Sequence, residues 1–324
     1  MHVQDAGRGT RRIGPYTVVT RLDIGIPAHT PVPEHRYIAR SVDGDRTVHL
    51  SRPLATMDPQ RFMAEAGSSR YLLGPWVLPA VELAAPGHEV WCARPYVPAL
   101  PLPIALAVYG GPLPERTVRS LAVALAETLA VIHGQNLTHA GLCPSAVLLA
   151  ADGPRLTCFG AVRAATQDGD VRQGVPGLDA GSLPPEQAAG GQPRPLGDVY
   201  ALGATLAYAA TGYTMPERDE LPPELRSLVA RCLSRDPAHR PQLSEIIGEL
   251  AGGPVQPDVP AGFGIASRAD ALLGPGWLPA RVVAAIAHQS ASVLAAEVEM
   301  PAQGHPSSLP AGTPFPPAVP HQSY

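Results

Sequence analysis

The 324-residue sequence contains no lysine; all 24 of its Lys/Arg positions are arginine. That absence excludes any chemistry needing a lysine amine, including Schiff bases and the phosphate-binding lysine of P-loops. Aromatic residues make up only 5%, so a core must be built from Leu, Val, Ile and Ala. Cysteines are few and scattered (Cys92, Cys143, Cys158, Cys232), without a CxxC pair. This speaks against a disulfide framework and fits reduced thiols in a cytoplasmic protein. No apolar run reaches 18 residues; the best, Leu121 to Ile132, is short and carries Glu127, so no membrane span is expected. The first residues lack a charged-then-apolar signal pattern. With net charge −4 and one basic grouping, Arg8, Arg11 and Arg12, nucleic acid is not an expected partner.

What is plentiful is proline and glycine, 39 and 32 residues, yet about a fifth of the chain falls short of wholesale disorder. Hydrophobic residues at 45% suffice for a core of one or two domains. Residues 1–12 read as a disordered lead. From 13 to about 100 the pattern is strand-like: Tyr16–Leu22, Tyr37–Arg40, Thr47–Leu50 and Val90–Ala93 are short β-branched or aromatic runs between turn residues. Asp58-Pro59 opens one helix there, with Phe62, Ala66 and Leu72 on its apolar side. After Pro112 the period becomes helical. A long buried helix over 113–133 precedes a hairpin, Val147–Leu149 and Arg155–Thr157 turning at Asp152-Gly153, and helices at 198–211, 222–233 and 241–251. Residues 252–276 read as a linker, 277–298 as a tail helix with a Leu278, Val282, Ile286, Val293 stripe, and 299–324 as a disordered proline-rich tail.

This order is similar to that of a eukaryotic-type Ser/Thr protein kinase domain of the actinobacterial kind. Thr138-His139-Ala140-Gly141-Leu142-Cys143-Pro144-Ser145-Ala146 resembles the catalytic loop, and Thr157-Cys158-Phe159-Gly160 the metal-binding DFG segment. Pro184-Pro185-Glu186 resembles APE, Asp198–Gly203 the helix after it, and Cys232–Pro241 the closing motif whose arginine, Arg240, pairs with Glu186. The resemblance covers about 13–251. It implies an α+β, two-lobed kinase-like fold: a β-rich N-lobe over 13–97 and a mainly α-helical C-lobe over 98–251.

The reagents the family uses are missing at the matching positions. Phosphoryl transfer needs cations on the phosphates, Mg²⁺ held by oxygen donors, and a base for the hydroxyl. The base position is Gly141, the two metal-ligand positions are Ala146 and Cys158, the strand lysine is Ser51 and the catalytic-loop lysine Cys143. Thiol and methyl groups do not suit Mg²⁺. The segment Asp23–Arg36, where a glycine loop should cradle phosphates, has one glycine and three prolines, and proline lacks the N–H that would donate. ATP and Mg²⁺ are therefore not expected cofactors.

Of the pocket, Glu65, Arg94, Tyr96 and Val97 remain as vestiges. Arg94, guarding the back of the nucleotide pocket, either fills it, reaches Glu65, or lies at the surface; Arg52 is a solvated strand arginine or an inward cation. Glu65 is either exposed or paired with an arginine. His139, Phe159, Gly160, Glu186, Asp198 and Arg240 are the positions that brace the large lobe in the family. Cys143 and Cys158, with His139 nearby, are neutral cleft fillers, or else a soft-metal or cross-linking pair. The segment 161–183 offers Thr166 and Ser182 as its hydroxyls. A frame kept while its reagents are absent reads as a pseudokinase, a regulatory or scaffolding module for a protein partner held by the C-lobe or the 277–298 helix. The alternative is an ATP-dependent Ser/Thr kinase using atypical residues.

Overall fold

The computed structural model describes residues 11–251 and 267–296. Of the expectations above, residues 1–10, 252–266 and 297–324 lie outside the described part. The small lobe is an antiparallel sheet of β1 (Arg12–Ile13), β2 (Tyr16–Arg21), β3 (Glu34–Ser41), β4 (Thr47–Pro53), β5 (Glu82–Leu83) and β6 (Cys92–Pro95), in the order β1-β2-β3-β4-β6-β5. Arg12 pairs with Thr17, so the first strand starts inside the stretch read as a disordered lead. Side chains alternate across β3. Tyr37 and Ala39 join Ile13, Tyr16, Val48, Leu50, Trp91 and Ala93 in the lobe's own core; Glu34, Arg36 and Ile38 take the opposite face, toward the large lobe. Helix α1 (Pro59–Ser69) starts as its sequence predicts: Asp58 accepts from the Gln60 N–H at 2.8 Å, Pro59 opens the first turn, and Phe62 and Ala66 are buried.

The large lobe begins at β7 (Ala99–Pro101), which pairs with β8 (Val147–Ala150) and, through it, β9 (Gly153–Leu156). Helix α2 (Leu102–Tyr109) was not legible as a helix, because Leu102, Pro103, Ala105 and Leu106 are all buried and leave no polar stripe to betray the period. Helix α3 (Glu115–Gly134) is the lobe's axis, with Leu121 through Ala126 fully buried. Among the described residues it alone is long and apolar enough to cross a membrane, and it is wrapped by the lobe over 67% of that span. Around it lie α4 (Ala161–Ala165), α5 (Pro185–Ala188), α6 (Pro195–Thr211), α7 (Pro223–Cys232) and α8 (Leu243–Ala251).

The tail departs from the linker expected over 252–276. Residues Arg268–Leu272 form α9, and Ala280–Ala295 form α10. Ala269, Leu273, Trp277, Leu278, Val282 and Ile286 all belong to the large-lobe core. Burial of this stripe, Trp277 at 1% exposure among them, is the apolar driving force that outweighs the local proline and glycine signals.

Candidate functional site

The cleft between the lobes is filled by the chain's own polar side chains. Arg94, on β6, is buried and donates from one guanidinium nitrogen to Ser51 Oγ at 2.6 Å and Glu34 Oε1 at 3.2 Å. Ser51 in turn donates to Glu34 at 2.8 Å, and the Cys158 thiol faces the same carboxylate oxygen at 3.7 Å. So Arg94 is buried in the cleft and not at the surface, and its acidic partner is Glu34, not Glu65. Strand alternation supplies the reason: Ser51 and Glu34 both point inward from β4 and β3, while Glu65 is committed elsewhere.

Arg36, two residues along β3, is a second buried cation. It holds both Asp23 carboxylate oxygens and donates across the cleft to the Ser145 carbonyl at 2.7 Å. Burial is the largest influence and opposes its charge, but the charge and hydrogen bonds of Asp23, with the nearby Glu34 carboxylate, together outweigh it and keep the guanidinium protonated. Asp23 and Arg36 bound the proline-rich stretch that leads from β2 into β3. His49 closes the connector side. Its Nε2 lies 2.9 Å from the Val97 carbonyl and its ring packs 5.3 Å from that of Tyr96. Burial pushes its pKa down to about 4, so at neutral pH the uncharged ring donates to Val97. Among the described residues the cleft holds small cavities of about 20 Å³ beside Gly141 and Cys143 and about 10 Å³ beside Glu34 and Arg94, each room for roughly one water, and a larger one of about 150 Å³ lies between residues 29–31 and Pro144, Asp179 and Tyr208.

Gly141 is the residue that the motif resemblance puts at the base position. A Cβ there would stand 2.0 Å from the Cys158 carbonyl oxygen and 3.1 Å from Ala161 Cβ, so the backbone after Thr157 occupies the space a side chain at 141 would need. Cys143, Ala146, Cys158 and Ala161 form one small apolar cluster. Burial raises the Cys143 thiol to about 11 and lifts Cys158 further. His139 is not part of that cluster; it packs edge-on against Phe159 at 5.8 Å, with its pKa pushed down to about 4 by burial. The two thiols are therefore protonated fillers.

Glu65 is paired with arginine: Arg163, on α4, holds it with two bonds of 2.8 and 2.7 Å. Gly160, at φ +73°, lets this happen, because a Cβ there would lie 2.1 Å from Glu65 Oε2. Arg52 is a strand arginine at the surface, bound to Glu89 at 2.6 Å. In the segment 161–183 the fully buried Arg172 donates to Thr166 Oγ1, Asp168, and the carbonyls of Gln187 and Gly191. Ser182 is buried and donates to Asp179 at 2.5 Å. Both hydroxyls are thus engaged.

The framework positions meet as the resemblance implies. Asp198 accepts from the backbone N–H groups of His139 (2.7 Å) and Ala140 (2.9 Å) and contacts His133 Nε2 at 2.9 Å. This holds Ala140 at φ +50°, a conformation L-residues avoid. Arg240 grips Glu186 with bonds of 2.6 and 2.9 Å.

Comparison with known proteins agrees with this geometry. The probable serine/threonine-protein kinase PkwA of Thermomonospora curvata is 33% identical over 261 residues, covering 74% of this chain and 34% of that protein. Serine/threonine-protein kinase AfsK of Streptomyces coelicolor is 31% identical over 298 residues, covering 85% and 35% respectively. The chain belongs to the bacterial serine/threonine protein-kinase family. Serine/threonine-protein kinase PknK of Mycobacterium tuberculosis matches at 30% over 62% of the chain. The kinase-like chain spans about a third of the length of PkwA and AfsK. No family model matches it.

Three residues of this kinase-like site escaped the motif reading: His49, Glu34 and Arg36. A signal for them existed in strand parity. His49 and Ser51 share a face of β4, so the strand that should present the lysine also presents the histidine to the cleft.

Proposed function

We propose that this domain is a pseudokinase: a kinase-like protein-binding module, regulatory or scaffolding, that uses neither ATP nor Mg²⁺. The observation that carries the reading is the occupied cleft, where Arg94 with Glu34 and Ser51, Arg36 with Asp23, and His49 with Val97 take the space and the connector carbonyl a nucleotide would need. Chemistry at Gly141, Ala146 and Cys158 supports it, since none of the three side chains supplies an oxygen donor or a base. The protein's exposed faces are then its working surfaces, with the large lobe the part still free to engage a partner, because α10 packs on its own chain.

The second reading, an ATP-dependent Ser/Thr kinase with atypical residues, is favoured by the preserved Glu186–Arg240 and Asp198 framework and by the kinase names of the relatives. Purified protein with labelled ATP and either Mg²⁺ or Mn²⁺ separates the two. The expected results are no transfer to itself or to a generic substrate, and no thermal shift. A ligand at a hundred times its Kd stabilises by about 2.7 kcal/mol, a shift of roughly 5–11 °C for a domain of this size. Such a shift, or label transfer that titrates with enzyme, would overturn the pseudokinase reading.

A further inference from the structure

The tail helices connect the two lobes, and nothing in the family motifs accounts for them. Their large-lobe end is strongly held. Glu127 on α3 accepts from the Ser267 hydroxyl and from the Arg268 N–H at 2.9 Å. The Trp277 indole donates to the Ala151 carbonyl at 2.8 Å while its own carbonyl accepts from Thr117 at 2.7 Å. Leu278, Val282 and Ile286 are buried behind it.

The other end is different. Past Ile286 the helix runs alongside the connector, and Val293, at 2% exposure, enters the seam formed by Leu22 and Ile38 from the small lobe and Leu148 and Ala150 from the large one, with Tyr96 and Val97 packed against it. Arg40 of β3 then donates to the Val293 carbonyl at 2.6 Å and the Ala296 carbonyl at 2.9 Å. The last carbonyls of any helix lack partners within it and favour a cation. Here the cation comes from the opposite lobe.

We propose that Ser267–Ala296 is an interlobe clamp, in which α9 and the start of α10 are a fixed anchor and the last turn of α10 is a latch docked on a small-lobe site made by Arg40, Ile38 and Leu22. The latch rests on one buried valine, one arginine and a polar contact of Ser290 with Tyr96, whereas the anchor rests on a tryptophan, three aliphatic side chains and capped backbone, so the latch opens first and the anchor stays. Docked, it ties β3 to the connector and fixes the angle between the lobes; released, it uncovers Tyr96 and Val97. This device stands whether or not the cleft takes a nucleotide.

Hydrogen exchange on the full chain tests it, comparing wild type with Arg40→Ala and Val293→Asp, and with Leu294→Asp as the control, since Leu294 sits in the same turn but is 69% exposed. The expected result is exchange about tenfold faster or more at residues 289–296 and 95–99 in the first two variants. Rates over 268–286 and within α3 stay at wild-type values, showing that the fold is intact, and the control matches wild type throughout. Wild-type rates at 289–296 in both Arg40→Ala and Val293→Asp overturn the clamp; so does loosening of the anchor to the same degree as the latch. ATP added to the wild type gives an independent result: protection at 95–99 would sink the pseudokinase reading and leave the variant comparison untouched.

Discussion

Removing the Glu34 carboxylate is the sharpest perturbation the cleft allows. Glu34 and Arg94 side chains are 6% and 5% exposed, so neither charge has water to fall back on. Glu34→Leu leaves Arg94 with the Ser51 hydroxyl and the Cys92 thiol but no carboxylate, within reach of the charge of the equally buried Arg36. Breaking a buried pair from one side costs about 3–5 kcal/mol. For a domain of this size each kcal/mol moves the melting temperature by about 2–4 °C, giving a fall of roughly 6–20 °C. Arg94→Met should cost less than Glu34→Leu, because the orphaned carboxylate still accepts from Ser51 at 2.8 Å and still feels the Arg36 charge.

The double variant Glu34→Leu/Arg94→Met removes both charges and refills the space with apolar atoms, which in other proteins is neutral or stabilising by about 1–4 kcal/mol. Its melting temperature should return to within a few degrees of wild type. Differential scanning fluorimetry with urea unfolding at pH 7 measures all four proteins. A double variant that loses the sum of the two singles would mean no coupling, and the description of a self-neutralised cleft would be wrong.

An acid at position 141 should do harm: Gly141→Asp places a Cβ 2.0 Å from the Cys158 carbonyl, so a loss of about 3 kcal/mol from overpacking is expected, with no labelled-ATP turnover gained; a stable, active variant refutes it. Stability should also depend on pH through His49 and His139, both held down to about 4 from 6.5 by burial. Between those values the unfolded chain binds the extra protons, so stability is present above 6.5 and drains as pH falls toward 4. Each histidine accounts for about 2 kcal/mol between pH 7 and pH 5. Urea midpoints at the two pH values should converge by about that amount in His49→Phe, and an unchanged slope would show that the ring is not buried neutral.

Much of the fold could be read from the sequence because its signals are local. Asp58-Pro59 caps α1 by a short side-chain bond, and Asp152-Gly153 turns the β8–β9 hairpin within four residues of chain. The framework pairs were readable for another reason: Glu186 with Arg240, and Asp198 beneath His139, belong to motifs whose order survives. Helix α2 was not readable, since a helix buried on most sides shows no period. Nor was α9, because Gly274 and Pro275 nearby speak of a linker while the decisive contacts, Glu127 and Thr117, lie some 140 to 160 residues away.

The cleft shows the same division between what motifs report and what they cannot. The motif resemblance puts Ser51 at the position of the family's strand lysine, but a motif marks positions and says nothing about which side chains fill the space around them. The space was taken by charges that sum to nothing: Arg94 and Arg36 against Glu34 and Asp23. Phosphoryl transfer in a kinase cleft needs cations left free to meet the triphosphate, a lysine and Mg²⁺ held by carboxylate and amide oxygens. This one is balanced from within, by arginines that cannot shed their protons, and both carboxylates come from the segment where a glycine loop would have covered the phosphates. On the pseudokinase reading proposed above, a nucleotide site would require undoing two buried ion pairs and the His49–Val97 bond together, which no single substitution at Ser51, Gly141 or Cys158 accomplishes.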